Sequence, residues 1–364
     1  MQKRALAYIG GPRQLQDFVW YYLAYGKEYK WDLVCQPLQK EMKLEDVCRN
    51  SGLFEKIYMP APFLNRSKIR LVGVAFKMFC MWIFGKNKIY ARHELLKDFD
   101  LSLYSHICLS TVRGVTCGMM ALAADDGTTI SLLEDGQGDN TNPKTRFELK
   151  RIKEDFYIPS YLLAKMGYCN PWGRFPLKST KRCDRYSLNP DGLAKELYKS
   201  VNLLNDFSLI DVREYNSLLD KIFGNISGID GAEAVLFTSN MRDFTGDAGT
   251  CVKKVCEYLS VKGYKKIIIK KHPRDLENYV IENVETINID SIIPGEILAK
   301  EIKEQDLYFM YPSTTLGAFE DGSNKIVIFR FDNLDNMEFY KSNFNRGCKI
   351  VSEETHVEFE IIDI

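Results

Sequence analysis

Residues 265–275 read Lys265-Lys266-Ile267-Ile268-Ile269-Lys270-Lys271-His272-Pro273-Arg274-Asp275. Three consecutive isoleucines are apolar toward both faces, as a strand inside a parallel sheet requires. The run then breaks into cations, a histidine and a proline, and Pro273 confines His272 to extended backbone. A helix-like stretch, Thr250–Val261, precedes this strand. The same alternation continues outward. Apolar runs at Leu6–Ile9, Trp31–Cys35, Lys56–Met59, Leu101–Leu109 and Thr129–Leu133 predict strands in the first half. Ala234–Thr238, Lys265–Ile269, Leu307–Tyr311 and Lys325–Phe331 predict strands in the second, and Gln14–Tyr25 and Gly295–Ile302 predict helices. Two blocks of strand–helix alternation imply an α/β protein with two parallel-sheet domains. The stretch from Pro143 to Asp230 differs, with charged helical segments and several glycines, and the boundary is expected there, giving domains 1–225 and 226–364.

Composition narrows the function classes. The 364 residues are 45% hydrophobic and 27% charged, enough to bury a substantial core. Lys plus Arg and Asp plus Glu both number 49, so no global field recruits nucleic acid. The ten cysteines show no C-x-x-C pair, which leaves zinc and a disulfide framework unsupported. The N-terminal apolar run Ala5–Ile9 is too short for a signal-peptide core, and a cytoplasmic protein is expected. Leu71–Phe84 is strongly apolar but interrupted by Lys77 and too short to span a bilayer. It reads as a buried helix of the first domain or as a helix lying in the membrane interface.

Open α/β sheets bind ligands beyond the carboxyl ends of their strands, so motifs are sought there. Three segments qualify. Leu133-Glu134-Asp135-Gly136-Gln137-Gly138 ends a strand in two carboxylates, one of which can face a cleft as a general base while the other holds the loop. His272 alone among the four histidines follows a buried-type strand amid cations, where an imidazolium can protonate a phosphate leaving group. Tyr311-Pro312-Ser313-Thr314-Thr315-Leu316-Gly317 puts hydroxyls at an expected helix start, whose amides suit a phosphate.

The ordered trio Glu134-Asp135-Gly136, His272-Pro273-Arg274 and Ser313-Thr314 resembles the bacterial sialyltransferases and polysialyltransferases, and most of all glycosyltransferase family 52, the lipooligosaccharide sialyltransferases. The resemblance implies a GT-B architecture, two Rossmann-like domains facing a central cleft. It further implies inverting transfer of sialic acid or a related nonulosonic acid from a CMP-sugar to a surface glycan or glycolipid, with no metal or other cofactor. On this likeness His272 is the acid, Ser313 and Thr314 are the phosphate donors, and Pro273, Arg274 and Thr315 also belong to the CMP-sugar site. Lys270 looks like a cytidine contact and Glu296 like a ribose-binding acid. For the base, Glu134 and Asp135 compete with Asp243 in the stretch Phe237–Asp243. A peripheral inner-membrane contact and a homodimer are both compatible with the family. Two other readings share these motifs: a relative using another nucleotide-sugar donor, and a non-catalytic nucleotide- or sugar-binding protein.

Overall fold

The computed structural model describes residues 3–37, 43–60, 68–134, 149, 157–169, 177–188, 190–224, 226, 228–319, 324–355 and 357–364. The chain divides into two compact units, Met1–Ile222 and Phe223–Ile364.

In the first unit the strands are β1 (Arg4–Ile9), β2 (Lys30–Cys35), β3 (Phe54–Tyr58), β4 (His106–Leu109), β5 (Thr129–Leu132), β6 (Cys183–Ser187) and β7 (Ser200–Leu203). They pair in the order β3-β2-β1-β4-β5-β6-β7, all parallel. The helices are α1 (Pro12–Tyr21), α2 (Leu44–Ser51), α3 (Lys68–Ile83), α4 (Asn87–Leu95), α5 (Val115–Ala123), α6 (Tyr157–Met166) and α7 (Val212–Phe223). All of β1 after Arg4 is buried, as a strand covered on both faces must be. Pro12 opens α1, where its missing N–H and fixed φ cost nothing. Gly118 of α5 lies so close to the Tyr168 carbonyl that a Cβ would fall 1.8 Å from that oxygen, so only glycine permits this packing.

The second unit contains β8 (Ala234–Phe237), β9 (Lys266–Lys270), β10 (Glu285–Ile289), β11 (Asp306–Phe309), β12 (Ile326–Arg330) and β13 (Glu360–Asp363), with helices α8 (Ala248–Ser260), α9 (Gly295–Leu298) and α10 (Met337–Thr355). Its order, β10-β9-β8-β11-β12-β13, is again all parallel. In each sheet the chain reverses direction beside the first strand of the unit, and the switch points lie between β1 and β4 and between β8 and β11.

Three sequence expectations change. The middle of the chain adds β6 and β7 to the first sheet. The run Leu101–Leu109 is a 3-10 turn at Leu101–Leu103, with the Asp100 carboxylate accepting the Ser102 N–H, followed by the four-residue β4. The helix expected from Gly295 shortens to four residues. Among the described residues no helix is long and apolar enough to cross a membrane.

His106, at the start of β4, is buried with Nε2 3.0 Å from the Tyr21 hydroxyl and 3.1 Å from the Ser131 hydroxyl. Burial pulls its pKa down to about 4, against a smaller upward pull from Asp184. Below the unfolded histidine value near 6.5, the unfolded chain binds a proton that the folded chain refuses, so stability falls as pH drops from 6.5 toward 4. At pH 5 this one group is expected to cost about 2 kcal/mol. Chemical denaturation at pH 7 and pH 5 checks it: His106→Gln should show a smaller loss than the parent chain, and equal losses would refute the assignment.

Candidate active site

The loops after β8, β9 and β11 share one end of the second sheet, on either side of the β8–β11 switch point. Phe237 and Phe309, the last residues of β8 and β11, stack with ring centroids 4.5 Å apart and floor this end. The β8 loop then anchors the β9 loop: the Thr238 hydroxyl accepts the His272 backbone N–H at 2.9 Å.

His272 is half-buried, and its ring orientation is set within its own loop. The Arg274 backbone N–H donates to His272 Nδ1 at 3.1 Å, so in the neutral ring Nε2 carries the proton. Asp275 closes the turn, its N–H donating to the His272 carbonyl at 2.9 Å. The Asp275 carboxylate accepts the Glu277 N–H at 3.0 Å and the buried Tyr279 hydroxyl at 2.8 Å. Burial, then Arg274, then Lys270 hold the His272 pKa down to about 4. The resting imidazole is therefore neutral at pH 7, and an anion beside it would restore its affinity for a proton.

Arg274 has a second function. Its guanidinium pairs with Asp243 at 2.7 Å, and Asp243 also accepts from Asn240 Nδ2 at 2.8 Å. Arg274 thus ties together the histidine, through its main chain, and the carboxylate, through its side chain. Arg242 and Glu277 pair alongside at 2.6 Å. Pro273 is half-buried in the turn between His272 and Arg274.

Lys270 ends β9 with its ammonium buried and donating to the Lys271 carbonyl at 2.7 Å. Burial lowers its pKa to about 8, against the opposing pull of Glu296 and Asp290. Glu296 lies on α9, where Gly295 packs so tightly that a Cβ would fall 2.7 Å from Thr315 Cγ2. The buried Thr315 hydroxyl donates to Glu296 Oε1 at 3.4 Å. Lys270, Glu296 and Thr315 therefore form one electrostatic group spanning the ends of β9 and β11.

The segment expected to be an α-helix after Ser313 is a six-residue 3-10 turn, Thr314–Phe319. Ser313 Oγ accepts the Thr315 N–H at 3.3 Å. Six residues of 3-10 helix make only two turns, so a helix-dipole contribution at this position is small. The Thr314 side chain lies outside the described residues.

The remaining carboxylates belong to the first unit. Glu134, at the end of β5, is 2% exposed and accepts the Ser187 hydroxyl at 2.6 Å and the Leu188 N–H at 2.7 Å. These two bonds tie the end of β5 to the end of β6. Asp135 lies outside the described residues. Among the described residues no three His, Cys, Asp or Glu side chains group to hold a metal.

Thr238, Asn240, Asp275 and Asp290 complete the site and were not singled out from the sequence. Asp275 alone left a signal, following His272 by three residues in the same loop. The others are ordinary loop residues until the sheet brings them together.

No family model matches the sequence, and no curated protein matches it significantly. Among solved structures, the chain is similar to the S. aureus MnaA–UDP complex, with a TM-score of 0.50 at 11% identity over 98% of this chain and 90% of that one. The glycotransferase of kitacinnamycin follows at TM-score 0.47 and 11% identity, over 100% and 87%. UDP-GlcNAc 2-epimerase from Neisseria meningitidis bound to UDP-GlcNAc gives 0.46 and 11%, over 97% and 90%. With two all-parallel sheets of seven and six strands in switch-point order, the chain has the GT-B fold.

Proposed function

We propose that the chain is an inverting glycosyltransferase that moves sialic acid, or a related nonulosonic acid, from a CMP-sugar to a terminal sugar of a surface glycan. The feature that supports this reading is sheet order: the loop carrying Lys270, His272 and Arg274 follows β9 and the loop carrying Ser313 follows β11, the two neighbours of β8, where a sheet of this order receives a ligand. Such a set of donors and cations matches a nucleotide phosphate whose negative charge grows as it leaves.

In the reaction, the acceptor hydroxyl oxygen attacks the anomeric carbon and the bond from that carbon to the phosphate oxygen breaks. The electron pair goes to the phosphate, and His272 Nε2 supplies its proton. Asp243 takes the proton of the acceptor hydroxyl. The phosphate also raises the His272 pKa, so the ring is charged only when donor is present, its second proton entering at Nδ1 as the Arg274 N–H moves off that nitrogen. Arg274 and Ser313 hold the phosphate, Lys270 meets the cytidine, and Glu296 accepts from the ribose.

Because Lys270 of the free protein loses its proton as pH rises through about 8, kcat/KM is expected to decline above that value. Lys270→Arg should remove this alkaline decline, and an unchanged decline would take Lys270 out of donor binding.

A second reading, a UDP-sugar donor, is favoured by the UDP in the S. aureus MnaA complex of the same fold. Calorimetric titration separates the two. CMP should bind at least about tenfold more tightly than UDP, a difference near 1.4 kcal/mol. The reverse order would replace the first reading by the second.

A further inference from the structure

Helix α3 carries two apolar stripes. Met78, Met81 and Trp82 form the first and pack on the core of the first unit. Phe76, Phe79 and Ile83, spaced i, i+3 and i+7, form the second and face solvent. Phe84 follows at 72% exposure, Phe76 reaches 68%, and Ile89 of α4 is exposed as well. A surface helix needs only one apolar stripe to hold its domain. Within the second, Phe79 touches Trp82 at 5.9 Å between ring centroids while Phe76 and Ile83 stay largely exposed, and an exposed apolar face of this kind marks an interaction surface.

Charge identifies the partner. From Phe76 to His93 the sequence has four Lys or Arg residues and no carboxylate, in a chain balanced at 49 of each sign. Lys88 and Arg92 are paired with Asp126 and Asp125. Lys77 and Lys86 are exposed, and no ion pair joins either to another described residue. The Lys77 ammonium lies 5.2 Å from the centre of the ring of the buried Tyr90. We propose that the α3–α4 surface of the first unit docks on an anionic membrane, with Phe76, Phe79, Ile83 and Phe84 among the acyl chains and Lys77 and Lys86 at the lipid phosphates. Exposed aromatics beside lysines are the composition that lies in a bilayer interface. A second copy fits less well, because two such faces would bring the same lysines toward each other.

Flotation of the full chain with vesicles tests this independently of any donor. Binding is expected to vesicles of phosphatidylcholine containing a quarter phosphatidylglycerol, and to be much weaker to phosphatidylcholine alone. The Lys77→Glu/Lys86→Glu pair should weaken binding by roughly thirtyfold or more, since each lysine near an anionic surface contributes about fivefold. Phe76→Ser/Phe84→Ser should weaken it by about tenfold or more through lost apolar burial. Both variants should melt like the parent chain, because the substituted residues are exposed. Absence of wild-type binding to the anionic vesicles, or variants that bind as wild type, would overturn the proposal. So would a dimer, seen by light scattering, that Phe76→Ser/Phe84→Ser dissociates while vesicles bind neither protein.

Discussion

His272→Ala is expected to slow transfer by about two to four orders of magnitude, the span associated with losing a general acid. Donor binding and the melting temperature should change little. The loop survives the substitution because its anchors are main-chain groups: the residue 272 N–H on the Thr238 hydroxyl and the residue 272 carbonyl under the Asp275 N–H. What disappears is the protonated Nε2. In the free chain the imidazole is held neutral, with its pKa near 4, and the donor phosphate supplies the charge that raises it. Two consequences follow for the pH profile of the parent enzyme. Turnover should fall as pH rises through the raised value in the donor complex, and that limb should be missing from His272→Ala. Near-normal turnover by the variant, or an identical limb, would remove His272 from the chemistry.

Asp243→Asn should produce a loss of similar size, about two to four orders of magnitude, if Asp243 is the base. Its ion pair with Arg274 is half-exposed on both sides, so breaking it costs at most about 1 kcal/mol and the fold should persist. Glu134 makes the informative contrast. Glu134→Ala removes a buried carboxylate that accepts from the Ser187 hydroxyl and the Leu188 N–H. That substitution should lower stability by about 2–4 kcal/mol while turnover per folded molecule stays within a few-fold of the parent. Denaturation curves and turnover measured on the two variants distinguish a chemical role from a structural one. A stable, inactive Glu134→Ala beside an active Asp243→Asn would exchange the two assignments.

Much of the fold was legible because buried parallel strands are apolar on both faces. β1, β2, β4, β5, β8, β9, β11 and β12 all appear as such runs, some with shifted ends, and the half-exposed edge strand β3 also shows, through Lys56–Met59. The strands that escaped detection are polar for physical reasons. β7, β10 and β13 are edge strands with partly exposed residues, and Ser200-Val201-Asn202-Leu203 or Glu285-Thr286-Ile287-Asn288-Ile289 reads equally well as loop. β6 is interior, yet its Cys-Asp-Arg-Tyr-Ser hides the fact because Arg185 is buried with its guanidinium donating to the Leu133 carbonyl at 2.7 Å. No periodicity reveals a buried arginine.

The candidate site was legible in a different way. His272 and Ser313 could be sought because both follow apolar runs, and sheet order alone puts the loops of β9 and β11 beside that of β8. Side-chain partnerships could not be read. That Arg274 joins His272 to Asp243, that Thr238 anchors the histidine loop, and that Thr315 reaches Glu296 instead of facing outward all depend on three loops meeting at one sheet edge.

The most direct test of the reading is a donor panel, in which the full chain is incubated with CMP-sialic acid or with UDP-sugars and a glycan acceptor, and nucleotide release and acceptor mass are followed. CMP should be released only from CMP-sialic acid, with the acceptor gaining one sialic acid per CMP formed, and His272→Ala should suppress both together. Transfer from a UDP-sugar with none from CMP-sialic acid would contradict it.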